Sequence, residues 1–167
     1  IPPKKAMCEP SRCEDQAHFA PGDYATVTAD AALEHDLRAL VRLAIAEDLR
    51  DSLDWTTVCM IDSDRRGGCQ IVPRAGGVCA GLATLPWIID EFDADLVQKR
   101  WIGDGEAMVP GRPIATIQGN VRDLLTSERT ILNILSRLCG IATLTSQYVD
   151  AIAATSARLY DTRKTTP

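Results

Sequence analysis

Ile114-Ala115-Thr116-Ile117-Gln118-Gly119-Asn120-Val121-Arg122-Asp123-Leu124-Leu125-Thr126-Ser127-Glu128-Arg129-Thr130-Ile131-Leu132-Asn133-Ile134-Leu135-Ser136-Arg137-Leu138 changes its period once, from strand-like to helical, and so sets the fold class. Ile114 to Ile117 reads as a short strand followed by the turn signal Gly119. From Val121 the period is 3.6, with Val121, Leu124, Leu125, Ile131, Leu132, Leu135 and Leu138 on one side of a helix. At about 100° per residue Glu128 falls inside that apolar arc. A carboxylate buried there without a cation or several donors would cost several kcal/mol, so a partner is expected beside it. Arg122, Arg129, Asn133 and Ser136 make a polar strip along the edge of the arc.

Working upstream, Cys69 to Gly119 gives strand-like runs at Gln70 to Arg74, Val78 to Leu82 and Leu96 to Ile102, punctuated by Gly76-Gly77 and Asp104-Gly105. One short helix, Leu85 to Phe92, interrupts them. Short strands separated by glycine predict a compact, strongly curved antiparallel sheet with helices on one face, an α+β layer arrangement. Before the sheet, Asp30 is an N-cap candidate for an amphipathic helix carrying Leu33, Leu37, Leu40, Val41, Ala44, Ile45 and Leu49. The acidic stretch from Glu47 to Thr57 breaks that pattern, and Asp48, Asp51 and Asp54 are simplest as caps and turn residues rather than a metal site. Residues 1–27, with Pro2, Pro3, Pro10, Pro21 and Gly22, read as an extended arm. Downstream, the first helix is expected to stop near Cys139-Gly140, a second to run from Ile141 to Ile152, and Ala157 to Tyr160 to form a strand.

The bulk properties bound the function. The 167 residues can bury about 70% of their unfolded surface without staples. At 46% hydrophobic and 25% charged, the chain falls in the globular range, away from collagen-like or disordered compositions. No apolar run reaches the roughly 18 residues a membrane helix needs. Eighteen basic against 23 acidic side chains give a net charge of -5, which offers no overall field for nucleic acid, so an anionic ligand must meet a local cationic cluster. The six cysteines include no C-x-x-C, and with two histidines no zinc spacing arises. They read as reduced cytoplasmic thiols, the alternative being a disulfide between Cys8 and Cys13. The chain opens at Ile1 and shows no signal-peptide pattern.

Two places concentrate cations. Asp161-Thr162-Arg163-Lys164-Thr165-Thr166 follows an expected strand, where ligand contacts gather and where Arg beside Lys supplies donors for carboxylates or phosphates. The bland alternative is a solvated strand end. Arg129 is either the salt-bridge partner of a buried carboxylate or a cation held for an anionic ligand, and adjacent helix positions do not face each other, which weakens its pairing with Glu128. The turn-and-strand rhythm of Asp104 to Gly119 looks like a biotinyl or lipoyl carrier, but the lysine that would bear the prosthetic arm is missing from it.

Several stretches together resemble the quinolinate phosphoribosyltransferase family, also called nicotinate-nucleotide pyrophosphorylase (carboxylating). They are Glu47-Asp48-Leu49 with Asp54-Trp55-Thr56-Thr57, Gly77 to Gly81, Asp104-Gly105 with Gly111, Leu125-Thr126-Ser127-Glu128-Arg129 through Asn133, Leu138 to Thr143, and Asp161 to Pro167. The resemblance covers roughly residues 30 to 167. It implies an α+β N-terminal sandwich domain leading into an α/β barrel, of which only the first strand is present here. The corresponding division is an arm at 1–27, a sandwich domain at 28–120, connecting helices at 121–156 and a first barrel strand at 157–167.

The implied reaction joins quinolinate to phosphoribosyl pyrophosphate (PRPP) with Mg²⁺, releasing pyrophosphate and CO₂ and giving nicotinate mononucleotide. The resemblance implies that Arg129 reaches quinolinate bound at a neighbouring subunit's barrel, hence a homodimer. It implies that Thr162, Arg163 and Lys164 line the dicarboxylate pocket, with Lys164 and Arg163 orienting the acid for decarboxylation, and that Glu128 orients neighbouring cations. Cys139 stands where the family usually has serine. The family's metal and ribose contacts would follow Pro167, so these residues alone are expected to be inactive. The rival readings are a paralogue acting on nicotinate or associated with molybdenum transport, and a non-catalytic dimerisation or ligand-binding module.

Overall fold

A computed structural model describes residues 29–50 and 53–160. The helix α1 (Ala31–Leu49) starts where Asp30 accepts the Leu33 amide at 2.9 Å and ends at Arg50, whose backbone turns left-handed. A six-residue helix, α2 (Trp55–Met60), follows, capped by Asp54. The strands are β1 (Arg66–Ile71), β2 (Gly77–Val78), β3 (Leu96–Arg100), β4 (Ala107–Met108) and β5 (Ala115–Asn120). A 3₁₀ turn at Leu82–Thr84 leads into α3 (Leu85–Glu91), and α4 (Val121–Ile152) runs for 32 residues.

The main sheet is antiparallel, in the order β1-β5-β3, with Ile117 of the central strand opposite Cys69 on one side and Gln98 on the other. Along β5, Ala115, Ile117 and Gly119 turn inward while Gln118 is exposed, the two-residue alternation of a sheet covered on one face. A second small sheet pairs β2 with β4. Helix α4 leaves β5 directly: the Asn120 side chain accepts the Arg122 amide at 2.8 Å and donates to the Ser63 carbonyl at 2.7 Å. Val41, Leu82, Leu85, Ile88, Ile89, Ile117, Ile131 and Leu135 form a single core between the sheet and helices α1, α3 and α4. Arg38 and Arg42 of α1 bridge to Glu91 of α3 at 3.0 and 2.7 Å.

The turn from β2 into α3 depends on Gly81, which has φ +95° and lies against α4 so closely that a Cβ would meet Leu138 Cδ1 at 2.6 Å. The Asp104 carboxylate caps this turn, accepting the Leu82 and Ala83 amides at 2.8 and 3.0 Å. The expected Val78–Leu82 strand is therefore cut to Gly77–Val78.

Four further expectations are corrected. The helix does not stop at Cys139-Gly140: α4 is continuous to Ile152. One glycine costs a helix about 1 kcal/mol, which the packing of Leu135 and Cys139 on one side of it and the Thr143–Val78 contact on the other offset. Residues 157–160 form no strand, because a strand needs a neighbour to pair its backbone and none lies beside them among the described residues. The acidic stretch expected to form caps and turns runs into the first turn of α2, a helix whose six residues are too few to show a period. The strand expected at Gln70–Arg74 lies earlier, as β1, and ends before Pro73, which has no N–H for a ladder.

Candidate active site around Arg129

Helix α4 buries Ser127, Thr130, Ile131 and Leu135, so residues on the opposite side point away from the core. Arg129 is on that side, with its side chain 73% exposed. It pairs with Asp48, 81 residues earlier in the sequence, through a hydrogen bond from Nη1 to Oδ1. Asp48 belongs to the last turn of α1 and is the better covered partner, 23% exposed. The N-cap of α2 completes the surroundings: Asp54 accepts the Thr57 amide at 3.1 Å and the Thr57 hydroxyl at 2.5 Å. Those Thr57 bonds, with a smaller contribution from the Arg129 charge, hold the Asp54 carboxyl below the ordinary aspartate range.

These elements enclose a polar hollow of about 590 Å³, with Asp48, Asp54, Trp55 and Thr56 on one wall and Thr126, Glu128, Arg129 and Asn133 on the other. A second hollow, of about 360 Å³, adjoins it across the Arg129–Asp48 pair and includes Glu47 and Arg50. Among the described residues, three carboxylates line the larger hollow against the one guanidinium of Arg129. Its own field therefore opposes an anion, and a dicarboxylate could be held there only if further cations joined Arg129.

Of the residues singled out from sequence, Arg129 is in the hollow and free of the Glu128 pairing considered for it. Glu128 also lines the hollow but is exposed, a correction to the expectation of a buried carboxylate. Of the apolar arc expected around it, Ile131 and Leu135 are buried, but Leu125 and Leu132 are 43% and 38% exposed, and Glu128 between them is exposed too. Thr162, Arg163 and Lys164 lie outside the described residues. The sequence pattern makes Asp48 and Asp54 caps and turn residues. Asp54 is one, but the pairing of Asp48 with Arg129 is a tertiary contact that no local pattern encodes.

None of the described cysteines lines this hollow. The Cys79 thiol is pushed up to about 12, chiefly by burial and then by the neighbouring Cys139, so it stays protonated. Cys59 and Cys69 are exposed and free. Among the described residues no three metal-ligating side chains come together. Of the carboxylates lining the hollow, Asp48 and Asp54 are committed to Arg129 and Thr57, which leaves Glu128, so these residues do not fit a Mg²⁺ site.

The sequence profile described as quinolinate phosphoribosyl transferase, N-terminal domain, matches residues 54–139, more than half of the chain and both α2 and the Arg129 turn of α4. The chain belongs to the quinolinate phosphoribosyl transferase family. Among relatives, the nicotinate-nucleotide pyrophosphorylase [carboxylating] of Mycobacterium leprae is 40% identical over 132 residues, 78% of this chain and 46% of that protein. A probable nicotinate-nucleotide pyrophosphorylase [carboxylating] of Synechocystis is 41% identical over 123 residues, covering 74% and 41%. The fold of this family member also matches solved structures. NadC from Streptococcus pyogenes superposes with a TM-score of 0.75 at 31% identity, over 86% of this chain and 49% of that one. The nicotinate-nucleotide pyrophosphorylase of Francisella tularensis gives 0.73 at 30% identity, over 80% and 47%. The chain thus spans about half the length, or less, of the relatives it matches. No helix among the described residues is long and apolar enough to cross a membrane.

Proposed function

We propose that this domain serves an enzyme that transfers the phosphoribosyl group of PRPP to quinolinate and releases pyrophosphate and CO₂, forming nicotinate mononucleotide in NAD biosynthesis. The observation that carries the reading is the placement of Arg129 at an exposed polar hollow within the family's matched region, held by Asp48 rather than buried in a structural pair. In this reading the pyridine nitrogen of quinolinate bonds to the ribose carbon as pyrophosphate departs. The carboxylate next to that nitrogen then leaves as CO₂, the ring carbon taking up a proton. Arg129 contributes a planar fork of donors that can hold one quinolinate carboxylate.

The excess of carboxylates around Arg129 supports a composite site, in which most of the cations come from elsewhere. Thr162, Arg163 and Lys164 are proposed as those partners, with Lys164 and Arg163 orienting the acid and Glu128 steering neighbouring cations. We propose that they act from the α/β barrel of a neighbouring subunit in a cytoplasmic homodimer, with Mg²⁺ arriving on PRPP and bound outside the described residues. The exposure of Ile141, Leu144, Tyr148 and Val149 along the second half of α4 supports burial of this helix in a larger body.

The test is formation of nicotinate mononucleotide by the full-length protein from quinolinate, PRPP and Mg²⁺, with nicotinate as the control substrate. Turnover of quinolinate alone is expected. Turnover of nicotinate instead would give the reaction to a paralogue, and quinolinate binding without turnover would mark a non-catalytic module.

A further inference from the structure

The pair formed by Asp48 and Arg129 breaks a local rule. Asp48 follows Glu47 in the last turn of α1, which contains no basic residue. Carboxylates there face the negative end of the helix dipole and weaken the helix. A stabilising role for Asp48 must therefore come from outside α1, and the hydrogen bond from Arg129 supplies it. The two partners are unequal: Asp48 is 23% exposed on a regular helix, whereas the Arg129 side chain is 73% exposed. A free arginine at such a position samples many rotamers, and fixing it at the moment of binding carries an entropic cost. Asp48 engages only Nη1, and the other donors of the fork meet no acceptor among the described residues.

From this geometry we infer that Asp48 is a positioning residue, which holds the Arg129 guanidinium by one nitrogen so that its remaining donors are presented to a carboxylate of the substrate. The inference rests on the proposed contact between Arg129 and quinolinate. Asp48 also places a negative charge near the incoming anion. At an exposed site that repulsion is screened by water and salt, and the orienting contribution outweighs it.

Steady-state kinetics of the full-length enzyme, with quinolinate and PRPP varied separately, test this. Asp48→Ala is expected to raise the KM for quinolinate about tenfold while the PRPP KM and kcat stay within about threefold. Asp48→Asn keeps an acceptor oxygen without the charge and is expected to raise it about threefold. On an Arg129→Ala background, removing Asp48 should add nothing, because its effect passes through the guanidinium. An unchanged or lowered quinolinate KM in either Asp48 variant would overturn the inference, as would an equal effect with and without Arg129. Should Asp48→Ala fail to fold, the Asn variant decides alone. If instead Arg129→Ala turns quinolinate over with the wild-type KM, the reading of Arg129 itself fails, a result separable from a failure of Asp48.

Discussion

Helix α2 is six residues long, and a helix so short has no stability of its own in water. Its N-terminus is capped by Asp54, and at its C-terminus Arg122 reaches across from α4. The Arg122 Nε donates to the Ile61 carbonyl at 2.8 Å and Nη2 donates to the Val58 carbonyl at 3.0 Å. Both acceptors are at the C-terminal end of α2, where carbonyls lack helical partners and the dipole favours a cation. A hydrogen bond from a charged donor contributes about 1.5–3 kcal/mol. Allowing for water that replaces one bond, Arg122→Ala should cost local opening of α2 about 2 kcal/mol, or roughly 30-fold in an opening equilibrium. Native-state amide exchange reads this residue by residue. The Val58 and Ile61 amides, bonded to the Asp54 and Thr57 carbonyls at 2.9 and 3.0 Å, should exchange about 30-fold faster. The Ile117 amide in the central strand should keep its rate if the opening is local. Arg122→Lys, which can reach one carbonyl but not span two, should fall between. Unchanged exchange at Val58 and Ile61 would refute the anchoring of α2 by Arg122, and an equal acceleration at Ile117 would show that the two elements open only together.

Gly81→Ala combines a left-handed backbone with a Cβ 2.6 Å from Leu138, whereas Gly111→Ala, at φ +77°, meets nothing within 4 Å. Denaturant titration should therefore show a loss of about 1 kcal/mol for Gly111→Ala and about 2–4 kcal/mol for Gly81→Ala, and shortening the obstacle with Leu138→Ala should shrink the second loss. Cys139 Sγ accepts the Ala80 amide at 3.3 Å and donates to the Ala80 carbonyl at 3.4 Å. Cys139→Ser should preserve both bonds and melt within a few degrees of the parent, whereas Cys139→Ala leaves two backbone groups unpartnered and should cost about 1–3 kcal/mol by the same titration. Arg42 and then Arg38 hold the Glu91 carboxyl below its ordinary 4.5. A carboxyl lowered in the folded state adds stability above pH 4.5 and loses it as pH falls through the lower native value. Glu91→Gln should therefore flatten the acid limb of the stability curve in that window, as followed by circular dichroism.

Local signals carried α1 with its Asp30 cap, α3, the start of α4 and the central strand, because each is decided by near neighbours in sequence. The errors have a common cause. Periodicity picks out Ile131 and Leu135 on the buried side of α4, but it cannot say how much of an arc is covered, and Leu125, Glu128 and Leu132 lie on an open flank. Glycine at 140 was read as a stop although no proline or polar cluster follows it, and packing on β2 carries the helix through. In the candidate site, Arg129 was legible as a polar residue beside an apolar stripe. Its partner was not, since the contact joins the end of one helix to the outer face of another across the core.

The charge pattern around Arg129 states what this domain can and cannot do alone. A dicarboxylate entering the 590 Å³ hollow would meet one guanidinium, already shared with Asp48, and the carboxylates of Asp54 and Glu128. Such a surface repels the ligand it is proposed to touch until other cations arrive. On the proposed function, the domain's contribution would be geometric rather than purely electrostatic: α1, α2 and α4 position the Arg129 fork, and other residues would hold most of the ligand's charge. Within that proposal Arg122 acts by anchoring α2 and Asp48 by restraining the fork, so substituting Asp48 should alter recognition of the substrate while substituting Arg122 should loosen α2, the wall of the hollow that faces Arg129.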